Sequence, residues 1–315
     1  VDLRDLHLSI RRQRQMFIRD RWSTNLIPLS ITSLLAIAAI PLLNVMEASQ
    51  AYGYFGNKAV FFILGVFILS ASMVACGLST RISIYVMKNW SSTPSQLITS
   101  IYCFAGISSC FMSEHAVAVI LFPIIHEITQ SLNLKRENSV FAKSMYFAMA
   151  WGCIIGGAMT VLGGGRVPLA VEMLEKSTVG TETIGILQYT QLSFPLVLAM
   201  FAGGWLVLKF LFPPDIQDIE AARKALKNKS HIMGKLTFQE KGIALVMVIT
   251  LFCWFVFGDQ LGIANIAIIS IVLLFVLNLI TWKMVEAHIN WAIVLMYGGA
   301  ICLGEVMAET GAALW

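Results

Sequence analysis

Long apolar runs separated by short polar loops form the dominant pattern of this chain. A helix that spans a lipid bilayer needs about 20 consecutive, mainly apolar residues. The pattern therefore predicts an all-α integral membrane protein with several spans. Five runs qualify directly, and a sixth begins near Ile289; in order they are 27–46, 59–78, 191–212, 242–258, 264–282 and 289–310.

Two further apolar regions, 97–125 and 144–173, are interrupted by polar residues or glycines. With 29 residues, the first region is long for one span and short for two. A re-entrant hairpin, which enters and leaves the membrane on the same side, fits that length. In the second region three glycines and a proline interrupt the helical pattern, which predicts a broken helix.

Composition and charge support the membrane class and exclude others. Charged residues make up 13% of the chain, whereas soluble domains carry about 25%. The net charge of +4 is small, and the basic residues lie mainly in loops, so the sequence does not indicate nucleic-acid binding. The six cysteines lie in apolar segments without a metal-like spacing and are interpreted as packing residues.

The distribution of lysine and arginine predicts the orientation. If residues 1–26 are cytoplasmic and 97–125 is a hairpin, then 18 of the 22 basic residues face the cytoplasm. Two of the others lie outside and two within membrane segments. A single crossing by 97–125 would instead place the basic linker 213–241 outside, against the preference of basic residues for the cytoplasmic side.

The tip of the predicted hairpin concentrates polar groups at membrane depth. Ser109, Ser113, Glu114 and His115 fall within eight residues between two apolar arms. Ionisable residues inside a membrane are costly, which makes them functional candidates. These groups are suited to binding a cation or relaying a proton. The alternative is a satisfied polar turn in which His115 caps a neighbouring helix.

The predicted break in 144–173 offers a site for an anion, whereas the hairpin tip is suited to a cation. Broken helices expose backbone carbonyls to cations and helix N-termini to anions. Arg166 follows the glycines Gly163 to Gly165 and begins the second half of the helix, where it is suited to a carboxylate, sulfate or phosphate. Alternatively, the glycines form a packing contact and Arg166 pairs with an acidic neighbour. A direct ion pair with Glu114 fits either interpretation.

The order of these segments resembles the divalent anion/sodium symporter family, which carries dicarboxylates, citrate or sulfate. The resemblance rests on a first span that starts with Ile27-Pro28-Leu29, the hairpin around Phe111 to Ala116, and the late stretches Ile289 to Ala300 and Glu309-Thr310-Gly311. It implies two inverted repeats, here 27–212 and the start of a second in 242–315. It also implies a homodimer with an elevator-like motion. Both ends of the chain are expected to lie within a longer protein.

The resemblance also implies roles for residues. The family's hairpin tip carries Ser-Asn-Thr, of which this chain keeps Ser113, whereas Glu114 and His115 depart from it. The link after the first half of the broken helix commonly ends in Gly-Thr-Pro-Pro-Asn, whereas here Gly165 is followed by Arg166. The implied cation-binding residues are Ser109, Ser113, Glu114 and Gly163. The implied substrate-binding residues are Ser113, Glu114, His115, Gly165 and Arg166.

The expected function is secondary transport of a small anion in the lipid bilayer, coupled to sodium and without a further cofactor or metal. One alternative is a proton-coupled or exchange-type anion transporter that uses Glu114 and His115. An alternative of another class is a non-transporting membrane sensor or a membrane enzyme. No Gly-x-Ser-x-Gly context surrounds Ser113, and no zinc-like histidine cluster is present, so the sequence does not predict an enzyme.

Overall fold

Helices form all the regular secondary structure in the computed structural model, which describes residues 28–134, 139–177 and 184–311. The predicted all-α class is thereby confirmed. The predicted cytoplasmic segment 1–26 lies outside the described residues. In chain order the helices are α1 (Leu29–Leu42), α2 (Ala48–Phe55), α3 (Lys58–Ala75), α4 (Leu78–Asn89), α5 (Pro94–Ser109), α6 (Glu114–Ser131), α7 (Val140–Gly157), α8 (Arg166–Ser177), α9 (Ile186–Leu211), α10 (Glu220–Ile232), α11 (Phe238–Leu261), α12 (Ile263–Val276), α13 (Trp282–Glu286) and α14 (Trp291–Glu309).

Five helical stretches within the described ranges are long and apolar enough to cross a bilayer. Together with the chain's low charge content they indicate a multi-pass membrane protein. The five stretches are Ala48–Ala75, Val140–Gly157, Ile186–Leu211, Phe238–Gly258 and Trp291–Glu309.

Two of the apolar runs form helices shorter than the runs themselves. The helices α1 and α12 contain 14 residues each. Each is followed by an asparagine in the left-handed region, Asn44 with φ 50° and Asn278 with φ 52°. Asparagine tolerates this conformation better than most residues, and a left-handed residue commonly ends a helix. The chain therefore turns before the apolar run is complete.

The described chain packs as two compact units, and the boundary falls within α3. In the first unit, formed by residues up to 64 and from 290, α14 packs against α1 and α2. A Cβ on Gly299 would lie 2.5 Å from the Cβ of Ser33, so a small residue is needed for this close helix contact. The hydroxyl of Tyr54 in α2 donates a hydrogen bond to the carboxylate of Glu309.

In the second unit, residues 65–289, the most extensive contact joins α5 to α7. Glycines permit it, because a Cβ on Gly152 would lie 2.7 Å from the carbonyl oxygen of Tyr102. A Cβ on Gly156 would overlap the backbone of Gly106. Around this contact lies a core of fully buried side chains that includes Ile101, Leu121 and Phe141.

The predicted linker contains the amphipathic helix α10, which packs against α4 and α6 in the same unit. Its Ala222 and Leu226 are buried, and the ammonium of Lys229 pairs with the carboxylate of Glu127 in α6. The division of the chain by packing differs from the division into repeats at 27–212 and 242–315. The repeat assignment, like the cytoplasmic position of 213–241, stays a prediction.

Candidate functional site

The turn between α5 and α6 forms the tip of a helical hairpin. Two bonds close it, since the Phe111 and Met112 N–H groups donate to the Ser108 carbonyl at 3.1 and 2.9 Å. Ser113 then begins α6, because its hydroxyl accepts a hydrogen bond from the Ala116 N–H at 3.3 Å. Such a side-chain cap satisfies a donor that the helix itself leaves free. Within the described ranges, neither arm is among the helices long and apolar enough to span a bilayer.

The second element of the site is the break between α7 and α8. After Gly157 the chain leaves the helix and resumes it at Arg166. Thr160 holds this irregular segment in place: its hydroxyl donates to the Cys110 carbonyl at 2.5 Å and accepts from the Leu162 N–H at 3.1 Å. The break is therefore tied directly to the hairpin tip.

A backbone bond joins the two elements at the charged residues. The N–H of Glu114 donates to the carbonyl oxygen of Gly163 at 3.0 Å. Glycine is required at this point, because a Cβ on Gly163 would overlap the carbonyl oxygens of Ser109 and Gly157. Here the glycines serve close backbone approach, as the glycine-rich pattern indicates.

The ion pair that the sequence allows is present. Nη2 of Arg166 lies 2.6 Å from Oε2 of Glu114. The exposure of the two side chains differs, with 60% for Arg166 and 16% for Glu114. His115 is 52% exposed, and its Nδ1 lies 3.9 Å from Oε1 of Glu114. The imidazole thus flanks the carboxylate without a close hydrogen bond to it.

Ser109 provides the most unusual polar group of the site. Its side chain is fully buried, and within the described ranges its hydroxyl has no hydrogen-bond partner. The neighbouring Cys153 offers a thiol, which is only a weak partner. The backbone carbonyl oxygen of Ser109 lies against Gly163. A buried hydroxyl with no stronger partner than a thiol is costly, which makes Ser109 the polar group of the site with the greatest unused bonding capacity.

The structure brings the predicted site residues together at one place. Direct contacts connect Ser109, Glu114, Gly163 and Arg166, while Ser113 caps the adjoining helix. Gly165 is buried in the break, where its carbonyl accepts the Leu169 N–H at 3.4 Å. Their roles in binding remain predictions. Among the described residues, no group of three or more histidine, cysteine or acidic residues is arranged to hold a metal ion.

Sequence reasoning missed two residues that position the tip. The Oγ of Ser70 in α3 accepts the Ser113 N–H at 3.3 Å, and Thr160 binds the Cys110 carbonyl. Thr160 lies in the predicted break and stood out only as a polar residue among apolar ones. Ser70 lies in an apolar span, and no local pattern connects it to a residue 43 positions later.

Comparison with known proteins identifies a family. The family described as the sodium:sulfate symporter transmembrane region matches residues 20–315. The chain is 24% identical to the sodium-dependent dicarboxylate transporter SdcS of Staphylococcus aureus strain MW2 over 326 aligned positions. It has the same identity to SdcS of Staphylococcus saprophyticus. Each alignment covers 95% of this chain and 62% of the relative, so the chain spans under two thirds of those proteins.

Proposed function

The chain belongs to the sodium:sulfate symporter family, and from this premise we propose that the protein is a secondary active transporter of a small anion. The proposed substrate class is dicarboxylate, citrate or sulfate. The name of the SdcS relatives favours a dicarboxylate within that class. The same names describe transporters, which favours transport over enzymatic activity.

The observation that carries the proposal is an exposed guanidinium at a helix break. Arg166 begins α8, where helix N–H groups and the helix dipole favour negative charge. With 60% of its side chain exposed, it is accessible to a solute. Arginine binds carboxylate and sulfate-like groups through paired N–H donors. Gly165 and the hairpin tip, with Ser113 and His115, complete the proposed anion site.

We propose sodium as the coupling ion, bound by oxygen atoms around Ser109. Among the described residues the buried hydroxyl of Ser109 has no oxygen or nitrogen partner, and the backbone carbonyl of Ser109 lies against Gly163 of the break. Ser113, Glu114 and Gly163 supply the remaining oxygens of the proposed cation site. Coupling to protons through Glu114 and His115 is the second candidate, supported by the 3.9 Å approach of the two side chains.

Uptake into proteoliposomes tests the function and the coupling ion together. The full-length protein is reconstituted, and sodium and proton gradients are imposed separately across the vesicle membrane. Uptake of labelled succinate, citrate or sulfate is then measured. We expect an inward sodium gradient to drive uptake of at least one anion. If neither gradient drives uptake, coupled symport is refuted. Anion binding without uptake would instead favour a membrane sensor.

The proposal also requires the hairpin to be re-entrant. Single cysteines placed at its two ends, Ser92→Cys and Gln130→Cys in a background free of accessible native thiols, are labelled with a membrane-impermeant reagent in oriented vesicles. Both positions are exposed, and we expect them to be labelled from the same, cytoplasmic side. Labelling from opposite sides would mean an ordinary crossing and would remove the basis for a site at membrane depth.

By family resemblance we propose that the protein works as a homodimer. Light scattering coupled to size-exclusion chromatography measures the protein mass in detergent. A mass of two chains is expected, and a single-chain mass at all concentrations would contradict it.

A further inference from the structure

The guanidinium of Arg166 already holds a carboxylate. Its Nη2 donates to Oε2 of Glu114 at 2.6 Å, a short charge-assisted bond. Among the described residues this is the one side-chain acceptor of Arg166, although a guanidinium has five N–H donors. The Arg166 side chain is 60% exposed and therefore accessible to a solute. An incoming anion therefore has to compete with the Glu114 carboxylate for the guanidinium of Arg166.

The backbone fixes Glu114 in this competing position. Its N–H is bonded to Gly163, and α6 begins at this residue. Its carboxylate lies over the glycine surface of the break: a Cβ on Gly157 would be 3.2 Å from Oε2, and one on Gly164 3.9 Å from Oε1. The absence of side chains at these glycines gives Glu114 the space next to Arg166.

We propose that Glu114 is an intramolecular competitor for the anion at Arg166, and that a cation bound to Glu114 releases Arg166 for the substrate. This inference rests on the proposed function and assigns its coupling to one ion pair. The cation is a proton or sodium, since either neutralises the carboxylate. Without it, an anion at Arg166 either displaces Glu114 or binds beside its negative charge, and both weaken anion binding.

Electrostatics makes this competition strong enough to couple two ligands. The Glu114 side chain is 16% exposed, so a released carboxylate is not fully solvated, and like charges within a few ångströms disfavour each other. Among the described residues, the titratable or charged groups that face it are Arg166 from α8, Cys153 from α7 and His115 on its own helix. Since linkage is reciprocal, a cation that raises anion affinity is itself bound more tightly with the anion present.

Calorimetric binding of succinate, citrate and sulfate to the purified full-length protein tests the competition. Titrations with and without sodium at fixed pH, and across pH without sodium, separate the two cations. For the native protein we expect affinity to rise with one of them. For Glu114→Gln we expect affinity without the cation to rise about tenfold, within the usual range of coupling between sites. The cation dependence should disappear.

Two further variants keep the result interpretable. Glu127→Gln removes a carboxylate from the same helix, where Glu127 pairs with Lys229, and should bind as the native protein does. Arg166→Gln should lose anion binding in all conditions. Weaker binding by Glu114→Gln than by the native protein, or an unchanged cation dependence in that variant, would overturn the proposal.

A readout without any anion separates this inference from the proposed function. Phenylglyoxal modifies accessible arginine side chains, and mass spectrometry of the Arg166 peptide measures the rate. We expect faster modification in Glu114→Gln than in the native protein or Glu127→Gln. If none of the anions binds while Arg166 reacts faster, the anion-transport proposal fails and the release of Arg166 by Glu114 stands. An equal rate in all three proteins refutes the release itself.

Discussion

Two arginine–glutamate pairs in the second unit have the same chemistry and opposite surroundings. In the first, Arg81 of α4 holds Glu240 at the start of α11. Nε and Nη2 of Arg81 reach the two carboxylate oxygens at 2.8 and 3.2 Å. Nη1 and Nη2 also donate to the carbonyls of Gly234 and Met233 at 2.6 and 2.9 Å. The exposure of the two side chains is 18% and 3%.

In the second pair, Arg166 makes one hydrogen bond to Glu114 among the described residues and remains largely exposed. Glu240 is further satisfied by the Thr237 N–H at 2.6 Å, as part of a capping box at the start of α11. Glu114 has no such local bond to its carboxylate among the described residues. In the Arg81–Glu240 pair the hydrogen-bonding groups are therefore used within the protein, as expected of a structural contact. In the Arg166–Glu114 pair, Arg166 keeps N–H donors free for a ligand.

The comparison shows that residue type does not decide the role of a charged pair. A buried pair contributes to stability when every donor and acceptor is bonded, because an unpaired buried charge is costly. A pair with one exposed partner contributes less to stability, because solvent screens the pair and can replace the exposed partner. It is then available for exchange with a solute. Measurements of unfolding free energy test whether the two pairs differ in this way.

The largest effect is expected for Arg81→Ala. This change leaves the nearly buried carboxylate of Glu240 without its cation, which costs about 3 kcal/mol of unfolding free energy. Thermal or denaturant unfolding in detergent measures the loss. The matched change Arg166→Ala should cost less than Arg81→Ala, because it removes one hydrogen bond of an exposed guanidinium. Equal losses for the two variants would erase the distinction between structural contact and ligand site.

A second prediction concerns what holds the site in place. Gly156→Ala should destabilise the protein by about 2 kcal/mol, because its Cβ would overlap the backbone of Gly106 and overpacking is costly. Gly203→Ala in α9 is the control, because a Cβ there meets no atom within 4 Å and alanine favours the helix. Should Gly156→Ala be as stable as the control, the packing of α5 on α7 does not position the Glu114–Arg166 pair.

A third carboxylate at a helix start has an intermediate role. Asp215 accepts the Phe141 and Val140 N–H groups at 2.8 and 3.0 Å and the Ser139 hydroxyl at 3.1 Å, and so caps α7 from a distant loop. Burial acts to raise the pKa of Asp215, but these hydrogen bonds outweigh it and the pKa is lowered. Because the side chain is exposed, we expect Asp215→Ala to cost about 0.5–1 kcal/mol near neutral pH.

The pH dependence of that loss follows from the lowered pKa. The stabilisation is present above the ordinary pKa of 3.8 and is lost as pH falls through the lower value of the folded state. Unfolding of the native protein and Asp215→Ala, compared at neutral pH and at about pH 3, measures the change. The difference between them should shrink at the acidic pH. A difference that grows on acidification would contradict the assignment of the charged carboxylate as the cap.

The smallest effect is expected for the pair on the surface of α10. Nζ of Lys224 lies 2.8 Å from Oε1 of Glu220 four residues earlier, and both side chains are mostly exposed. Solvent screens such a pair, so Lys224→Gln should leave the unfolding midpoint unchanged within error. A loss of stability comparable to that of Arg81→Ala would mean that hydrogen bonding and burial do not determine how much each ion pair stabilises the protein.

Local patterns in the sequence predicted much of this fold. Apolar run length identified the membrane class, and the glycines before Arg166 located the helix break to within a few residues. The polar tip around Ser113 likewise lies between two helices. Each of these features depends on neighbours along the chain, through burial of apolar groups or backbone freedom. Helix ends were less accurate where asparagine turned the chain inside an apolar run, as at Asn278.

The sequence by itself determined that charged groups of opposite sign exist at the tip and at the break, and it allowed them to pair. Only the tertiary structure decided that Arg166 meets Glu114 through one bond while Arg81 is saturated by Glu240 and three carbonyls. The same holds for the contact of Ser70 with the tip and for the burial of the Ser109 hydroxyl, which has no oxygen or nitrogen partner in the described part of the chain. Saturation and burial depend on groups distant along the chain, and no local pattern contains that information.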